Sequence, residues 1–220
     1  MSRIVVAIDG PAGAGKSSAS RGLAARLGYT HVDTGAMYRA VGVVAAERGV
    51  AFDDDAALAT LVDALRFEFP EGRIVVDGRD LSAAIREPAA GELASRVSTR
   101  PVVRERLVAL QRTLGAAGGV VMEGRDIGTV VFPGAPVKVF LTADPAERAR
   151  RRAAELRARG EDVDEAALAA EIAARDQRDS GRAHSPLRPA DDAVVLDTTR
   201  LALAEVIEAM ARLARDAGAP

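Results

Sequence analysis

Apolar and polar positions divide the chain into alternating strands and helices. Ile4 to Ile8 is a continuous apolar run rich in β-branched residues, the pattern of a strand buried on both faces of a parallel sheet. Gly10 to Gly15 follows as a loop. Lys16 to Leu27 reads as a helix, with Leu23 and Leu27 four apart on one face and an end near Gly28. Tyr29 to Asp33 is a short second strand, and Ala36 to Arg48 a helix that stops at Gly49. Strand, helix, strand, helix in this order predicts a doubly wound α/β sheet.

The pattern changes near Asp53. Asp53-Asp54-Asp55 caps a helix through Leu65. Phe67 to Phe69 and Arg73 to Val76 form a hairpin about Pro70-Glu71-Gly72, and Asp77-Gly78 signals a turn into a third short strand. Ser82 to Arg86 and Pro88 to Ser98 are helical. Pro101 opens a helix running to about Leu114. Gly119 to Glu123 and Val137 to Thr142 are further strands. Asp144-Pro145 starts a helix that Gly160 to Val163 breaks, and Asp164 restarts one through about Arg178. Val194 to Asp197 and Leu201 to Arg215 are the last strand and helix.

A chain of 220 residues suits one α/β domain with small inserted lobes. Hydrophobic residues make up 48% and charged residues 28%, enough to bury a core. The net charge of −2 gives no support to nucleic-acid binding. Of the 30 basic residues, only Lys16 and Lys138 are Lys; base-composition bias accounts for most of this, and position decides the rest. With no Cys, thiol nucleophiles, zinc thiolates and disulfides are excluded. No apolar stretch approaches the roughly 20 residues of a membrane span. The first strand begins at once, without a leader pattern. The expectation is a cytoplasmic protein that contacts neither membrane nor nucleic acid.

Gly10-Pro11-Ala12-Gly13-Ala14-Gly15-Lys16-Ser17 fits the phosphate-loop pattern G-x-x-x-x-G-K-[ST]. Its glycines let successive N–H groups turn inward on phosphate oxygens, and the helix beginning at Lys16 points its positive end at the same anion. Lys16 reaches the β/γ oxygens. Ser17, with Ser18 as the alternative, offers a hydroxyl to Mg²⁺. A plain glycine turn does not explain why one of two lysines falls here. The loop alone leaves a phosphotransferase, a nucleotide switch and a regulatory ATP-binding module all open. Without Asn, the Asn-Lys-x-Asp segment of guanine-specific switches is excluded.

Three further clusters lie downstream. In Asp33-Thr34-Gly35-Ala36-Met37-Tyr38-Arg39, Thr34 is placed to cap the next helix and Arg39 to project from its first turn, a second phosphate site. Glu123-Gly124-Arg125-Asp126-Ile127-Gly128-Thr129 follows a strand, and in open α/β sheets ligands sit at the carboxyl ends of strands. Glu123 is therefore the candidate to hold a magnesium-bound water. In Arg175-Asp176-Gln177-Arg178-Asp179-Ser180-Gly181-Arg182, Arg175, Asp179 and Arg182 share one helix face. That helix has a flexible end and suits a lid over phosphates. His31, alternating with Val32 in a strand, and His184, in a loop, lie outside these clusters and read as structural.

The phosphate loop, DTGAMYR, EGRDIGTVVFP, RDQRDSGR and SPL, in order from Ile4 to Asp197, closely resemble bacterial cytidylate kinases. The resemblance implies a P-loop NTPase-type parallel sheet flanked by helices, forming a single nucleoside monophosphate kinase domain. Its core would be residues 1–52, 101–150 and 190–220, its inserted CMP-binding lobe about 53–100 and its helical lid about 151–189. It implies ATP + CMP giving ADP + CDP, with dCMP also accepted, Mg²⁺ as cofactor and a monomeric enzyme. Gly10, Pro11, Ala12, Gly13, Ala14, Gly15, Lys16, Ser17 and Ser18 would bind ATP. Thr34, Arg39, Arg125 and Arg182 would hold the CMP phosphate; Ser95, Arg104 and Asp126 would read cytosine; Tyr38, Arg175 and Asp179 would contact the sugar side. Cytosine's amino group needs an acceptor such as Asp126 or Ser95, and its N3 and O2 a donor such as Arg104. Uracil reverses that polarity and would leave buried groups unpaired. The chain departs from the family where Glu123 stands for a common Asp, and where Ser17-Ser18 replaces Gly-Thr or Ser-Thr.

The expected chemistry is in-line transfer by positioning and charge neutralisation, with Lys16, Arg125, Arg182 and Mg²⁺ as its parts. Arg148, Arg150, Arg151 and Arg152 compete as lid contributors, and Arg148 and Arg152 are favoured. A kinase for shikimate or another nucleotide is the alternative of the same architecture.

Overall fold

The opening β-branched run forms β1 (Val5–Asp9), and the parallel sheet is assembled around it. The computed structural model describes residues 3–182 and 185–220, so His184 lies outside the described residues. The chain divides into two compact units, Met1–His31 with Gly118–Pro220, and Val32–Ala117.

The first unit carries α1 (Lys16–Leu27), the start of β2 (Thr30–Asp33), and then β6 (Val120–Gly124), β7 (Val137–Thr142), α6 (Pro145–Arg157), α7 (Glu165–Ser180), β8 (Val194–Asp197) and α8 (Leu203–Asp216). Strand order is β2-β6-β1-β7-β8. In the parallel registers Asp9 of β1 stands opposite Gly124 of β6 and Phe140 of β7. The carboxyl ends of these strands therefore meet where the phosphate loop leaves β1. Val6, Ile8, Val121, Val139 and Leu141 from the sheet pack with Leu23 of α1 and Met210 of α8, all nearly inaccessible. Burial of each such side chain contributes about 1.5–3 kcal/mol, so the strand ends are held on a rigid base.

Helix starts follow their capping residues. Asp144 accepts the Ala146 N–H ahead of Pro145, and Asp164 accepts those of Ala166 and Ala167. The sequence pattern predicts no element between β6 and β7, yet Ile127–Val131 forms a π-helical turn. Its amides reach back to Asp126 and Ile127 carbonyls, with Phe132 N–H 2.7 Å from Ile127 O. A carboxylate more than a hundred residues away, Asp9, fixes its start, so a local reading has nothing to detect.

The second unit holds the end of β2, then α2 (Thr34–Glu47), α3 (Asp55–Ala64), the meander β3 (Phe67–Glu68), β4 (Val75–Val76) and β5 (Arg79–Asp80), α4 (Pro88–Val97) and α5 (Pro101–Gly115). Helix α2 packs on α4, and α3 on α5, over the buried Met37, Val41, Leu58, Val97 and Leu107. The expected third strand is present, and the expected helix near 82–86 shortens to one 3-10 turn at Ala84–Arg86. Among the described residues no helix is long and apolar enough to cross a membrane.

Candidate active site

The phosphate loop has a shape that glycine permits. A Cβ on Gly10, whose φ is +148°, would sit 2.0 Å from the Leu141 carbonyl oxygen. Gly15 precedes α1 in the left-handed region, and no side chain caps this helix, nor is there an acidic residue in its first turn. The start of α1 thus presents its N–H groups and positive dipole end without a built-in carboxylate, unlike α6 and α7. Lys16 is buried, and its ammonium donates to the Pro11 carbonyl at 2.7 Å, across the loop. Thr198 Oγ1 donates to Ala14 O at 3.2 Å, and Arg148 donates to Ala12 O at 3.1 Å, bracing the loop from outside.

Glu123 lies at the end of β6, 2% exposed. A buried carboxylate needs partners, and two are a hydroxyl and an imidazole. Ser17 Oγ donates to Glu123 Oε2 at 2.9 Å, and His31 Nε2 is 2.8 Å from Glu123 Oε1. It is Ser17, rather than Ser18, whose hydroxyl reaches Glu123. His31 therefore does not lie outside the clusters, as its strand position had implied. Strand β2 runs beside β6, which brings together residues 92 positions apart. Among the described residues no group of three or more His, Cys, Asp or Glu is arranged to hold a metal by itself. One hydroxyl and one carboxylate, both hard oxygen donors, fit a small cation that brings most of its ligands as phosphate oxygens and water.

Asp9 ends β1, 5% exposed, and its two carboxylate oxygens accept the Ile127 and Gly128 N–H groups, both at 2.8 Å. Burial pushes its carboxyl up to about 6. The two N–H groups and the Lys16 charge oppose that rise, and the Asp126 carboxylate reinforces it. Asp9 thereby anchors the turn that follows Arg125 and Asp126.

Arg125 Nε donates to Asp179 Oδ2 at 3.1 Å, and Arg182 donates to Asp179 Oδ1 at 2.5 Å. Asp179 of α7 is 2% exposed and is the buried hub of two guanidinium groups. Arg175, one turn earlier, is half-buried. Of the four arginines on α6, Arg148 is buried and pairs with Asp176 at 2.5 Å while bonded to Ala12 O and Ala143 O. Arg151 bonds Glu147 and the Thr198 carbonyl, and approaches Gly15. Arg150 pairs with Glu147 and Arg152 with Glu155, both away from the loop's own contacts. Sequence spacing does not rank the four arginines, because they share one helix and differ only in the direction each faces.

In the second unit, α2 is capped by Asp33, not Thr34: Asp33 Oδ1 accepts the Ala36 N–H at 3.0 Å. Helix α2 starts at Thr34, so Arg39 lies in its second turn, where it donates to Asp33 Oδ2 at 2.7 Å. One carboxylate thus both starts the helix and aims Arg39. A Cβ on Gly35 would lie 3.1 Å from Asp33 Oδ1 and 3.2 Å from Arg39 Nη1, and the glycine keeps that pair open. Thr34 is buried. Tyr38 and Arg104 are buried on α2 and α5, the guanidinium 5.7 Å from the ring centroid. Ser95 is half-buried on α4.

Comparisons with known proteins identify the family. A family model described as cytidylate kinase matches residues 6–216. The cytidylate kinase of Geobacter sulfurreducens (strain ATCC 51573 / DSM 12127 / PCA) is 50% identical over 217 residues, covering 97% of this chain and 93% of that one. The cytidylate kinase of Geobacter sp. (strain M21) is 51% identical with the same coverage. A solved structure, a gluconokinase from Sinorhizobium meliloti 1021, superposes with a TM-score of 0.50 at 18% identity, covering 98% of this chain and 94% of that chain. At that identity the likeness concerns the fold alone. Matched by the family model over residues 6–216 and half identical to its relatives across nearly its whole length, the chain belongs to the cytidylate kinase family.

Proposed function

We propose that the protein transfers the terminal phosphoryl group of ATP directly to CMP and dCMP. The observation that carries this reading is the uncapped start of α1 behind a glycine loop, with the Ser17–Glu123 pair at its edge, in a chain of this family. Residues Gly10 to Ser18 cradle the triphosphate, and Lys16 leaves its loop carbonyl to meet the β/γ oxygens. Ser17, and Glu123 through a water, would hold Mg²⁺, which when bound would supply charge neutralisation for the transferring group. Arg125 and Arg182 give the acceptor phosphate two positive charges whose directions Asp179 fixes. Arg148, already at the loop, and Arg152, once released from Glu155, complete the neutralisation.

On the acceptor side, Thr34 and Arg39 join Arg125 and Arg182 on the CMP phosphate. Ser95, Arg104 and Asp126 read cytosine, while Tyr38, Arg175 and Asp179 serve the sugar. Arg104 is a donor for N3 and O2; Asp126, buried at the start of the π-turn, is an acceptor for the 4-amino group. No step needs a covalent enzyme intermediate, because positioning and charge account for phosphoryl transfer. ADP release measured with CMP, dCMP, UMP, AMP and shikimate as acceptors tests this. CMP and dCMP should give the highest kcat/KM. Preference for any other acceptor, or no acceptor-dependent ADP release, refutes it.

A further inference from the structure

We propose that His31 is a positioning residue that fixes the Glu123 carboxylate for the magnesium-bearing triphosphate. The inference rests on the reading of Ser17 and Glu123 as the cation's protein partners. The geometry supplies a chain of three groups from three elements: His31 on β2, Glu123 on β6 and Ser17 in the first turn of α1. His31 Nε2 lies 2.8 Å from Glu123 Oε1, and Ser17 Oγ 2.9 Å from Glu123 Oε2. The two carboxylate oxygens thus have different partners, which fixes the plane of the group as well as its location. The His31 and Glu123 side chains are 11% and 3% exposed, so bulk water does not substitute for either partner.

The need for such a brace follows from the side chain itself. Glutamate has one more methylene and one more rotatable bond than aspartate, so its carboxylate has more positions to choose from. An imidazole N–H on Oε1 removes that freedom and directs Oε2 towards the Ser17 hydroxyl. Groups that orient a metal-holding carboxylate in this way commonly contribute 10–100-fold to metal affinity.

The test compares binding of a non-hydrolysable ATP analogue with Mg²⁺ and with excess EDTA, by calorimetry, in the wild type and in variants. His31→Leu should weaken the magnesium complex about tenfold and leave the metal-free analogue within about twofold. His31→Gln, whose amide can donate to Oε1, should recover most of the loss. His31→Asn, whose shorter amide does not reach, should behave as His31→Leu does, and serves if the leucine variant does not fold. Equal weakening with and without Mg²⁺, or no weakening at all, overturns the positioning role. Glu123→Gln is the separate control: if it leaves the effect of Mg²⁺ unchanged, the cation reading of Glu123 itself falls. If Glu123→Gln reduces that effect and the His31 variants do not, only the role of His31 falls.

Discussion

Asp9→Asn offers a demanding test of how the strand ends are held. The wild-type carboxylate is 5% exposed and accepts two backbone N–H groups at 2.8 Å. Burial outweighs those bonds and raises its carboxyl from 3.8 to about 6. In the unfolded chain Asp9 loses its proton near 3.8; in the folded chain it keeps it to about 6. Between these values the folded state binds more protons, so stability attributable to Asp9 falls as pH rises through the window. Two pKa units at about 1.4 kcal/mol each give a loss of about 3 kcal/mol, complete above pH ~6.5. Asparagine cannot titrate, so it lacks this pH-dependent loss. It turns an N–H donor towards one of the two amides, a cost of about 1–3 kcal/mol that does not vary with pH. Protonated Asp9 has a similar defect, since one oxygen then carries hydrogen. Urea unfolding of both proteins from pH 4 to pH 7.5 isolates the residue, because other titrating groups cancel in the difference. The stability of the wild type relative to the variant should fall by about 2.5 kcal/mol across that range, the first part of the loss having occurred below pH 4. Parallel curves, or a difference that grows with pH, would refute the view that burial governs Asp9.

Other substitutions probe separate parts of the account. Gly10→Ala forces a Cβ to 2.0 Å from the Leu141 carbonyl at a φ of +148°, and should cost about 3 kcal/mol or more in urea unfolding. Arg182→Ala removes one of two charges on Asp179, and should lower kcat and CMP affinity together, by on the order of a hundredfold in kcat/KM; a change confined to ATP affinity contradicts its acceptor-side role. Asp33→Ala removes both the α2 cap and the partner of Arg39. It should cost about 1 kcal/mol of stability and raise the KM for CMP while leaving that for ATP unchanged in steady-state assays.

Much of the fold was legible because its signals are local. Apolar runs marked β1, β6 and β7, and Asp-Pro or Asp caps marked α6 and α7. Glycines marked the phosphate loop and the end of α1 at Gly28. The residue types of the site were legible for the same reason, since the phosphate-loop spacing encodes a backbone shape. What stayed hidden depends on partners distant in the chain. His31 meets Glu123 only because β2 lies beside β6, a pairing that no local pattern carries. Asp9, just past the apolar run Ile4 to Ile8, carries no local signal, although its carboxylate anchors a turn at residues 127 and 128. A Thr at position 34 satisfies the local cap pattern, but Asp33, one residue earlier, both caps α2 and holds Arg39. The arginines of α6 differ only in rotamer and direction, which a one-dimensional pattern does not carry.

Lys16→Ala tests phosphoryl transfer most directly, because it removes the ammonium proposed to meet the β/γ oxygens. Its ADP release with ATP and CMP should fall on the order of a thousandfold, with the urea unfolding midpoint unchanged to within the error of the measurement. Near-normal CMP phosphorylation by that folded variant would contradict the account.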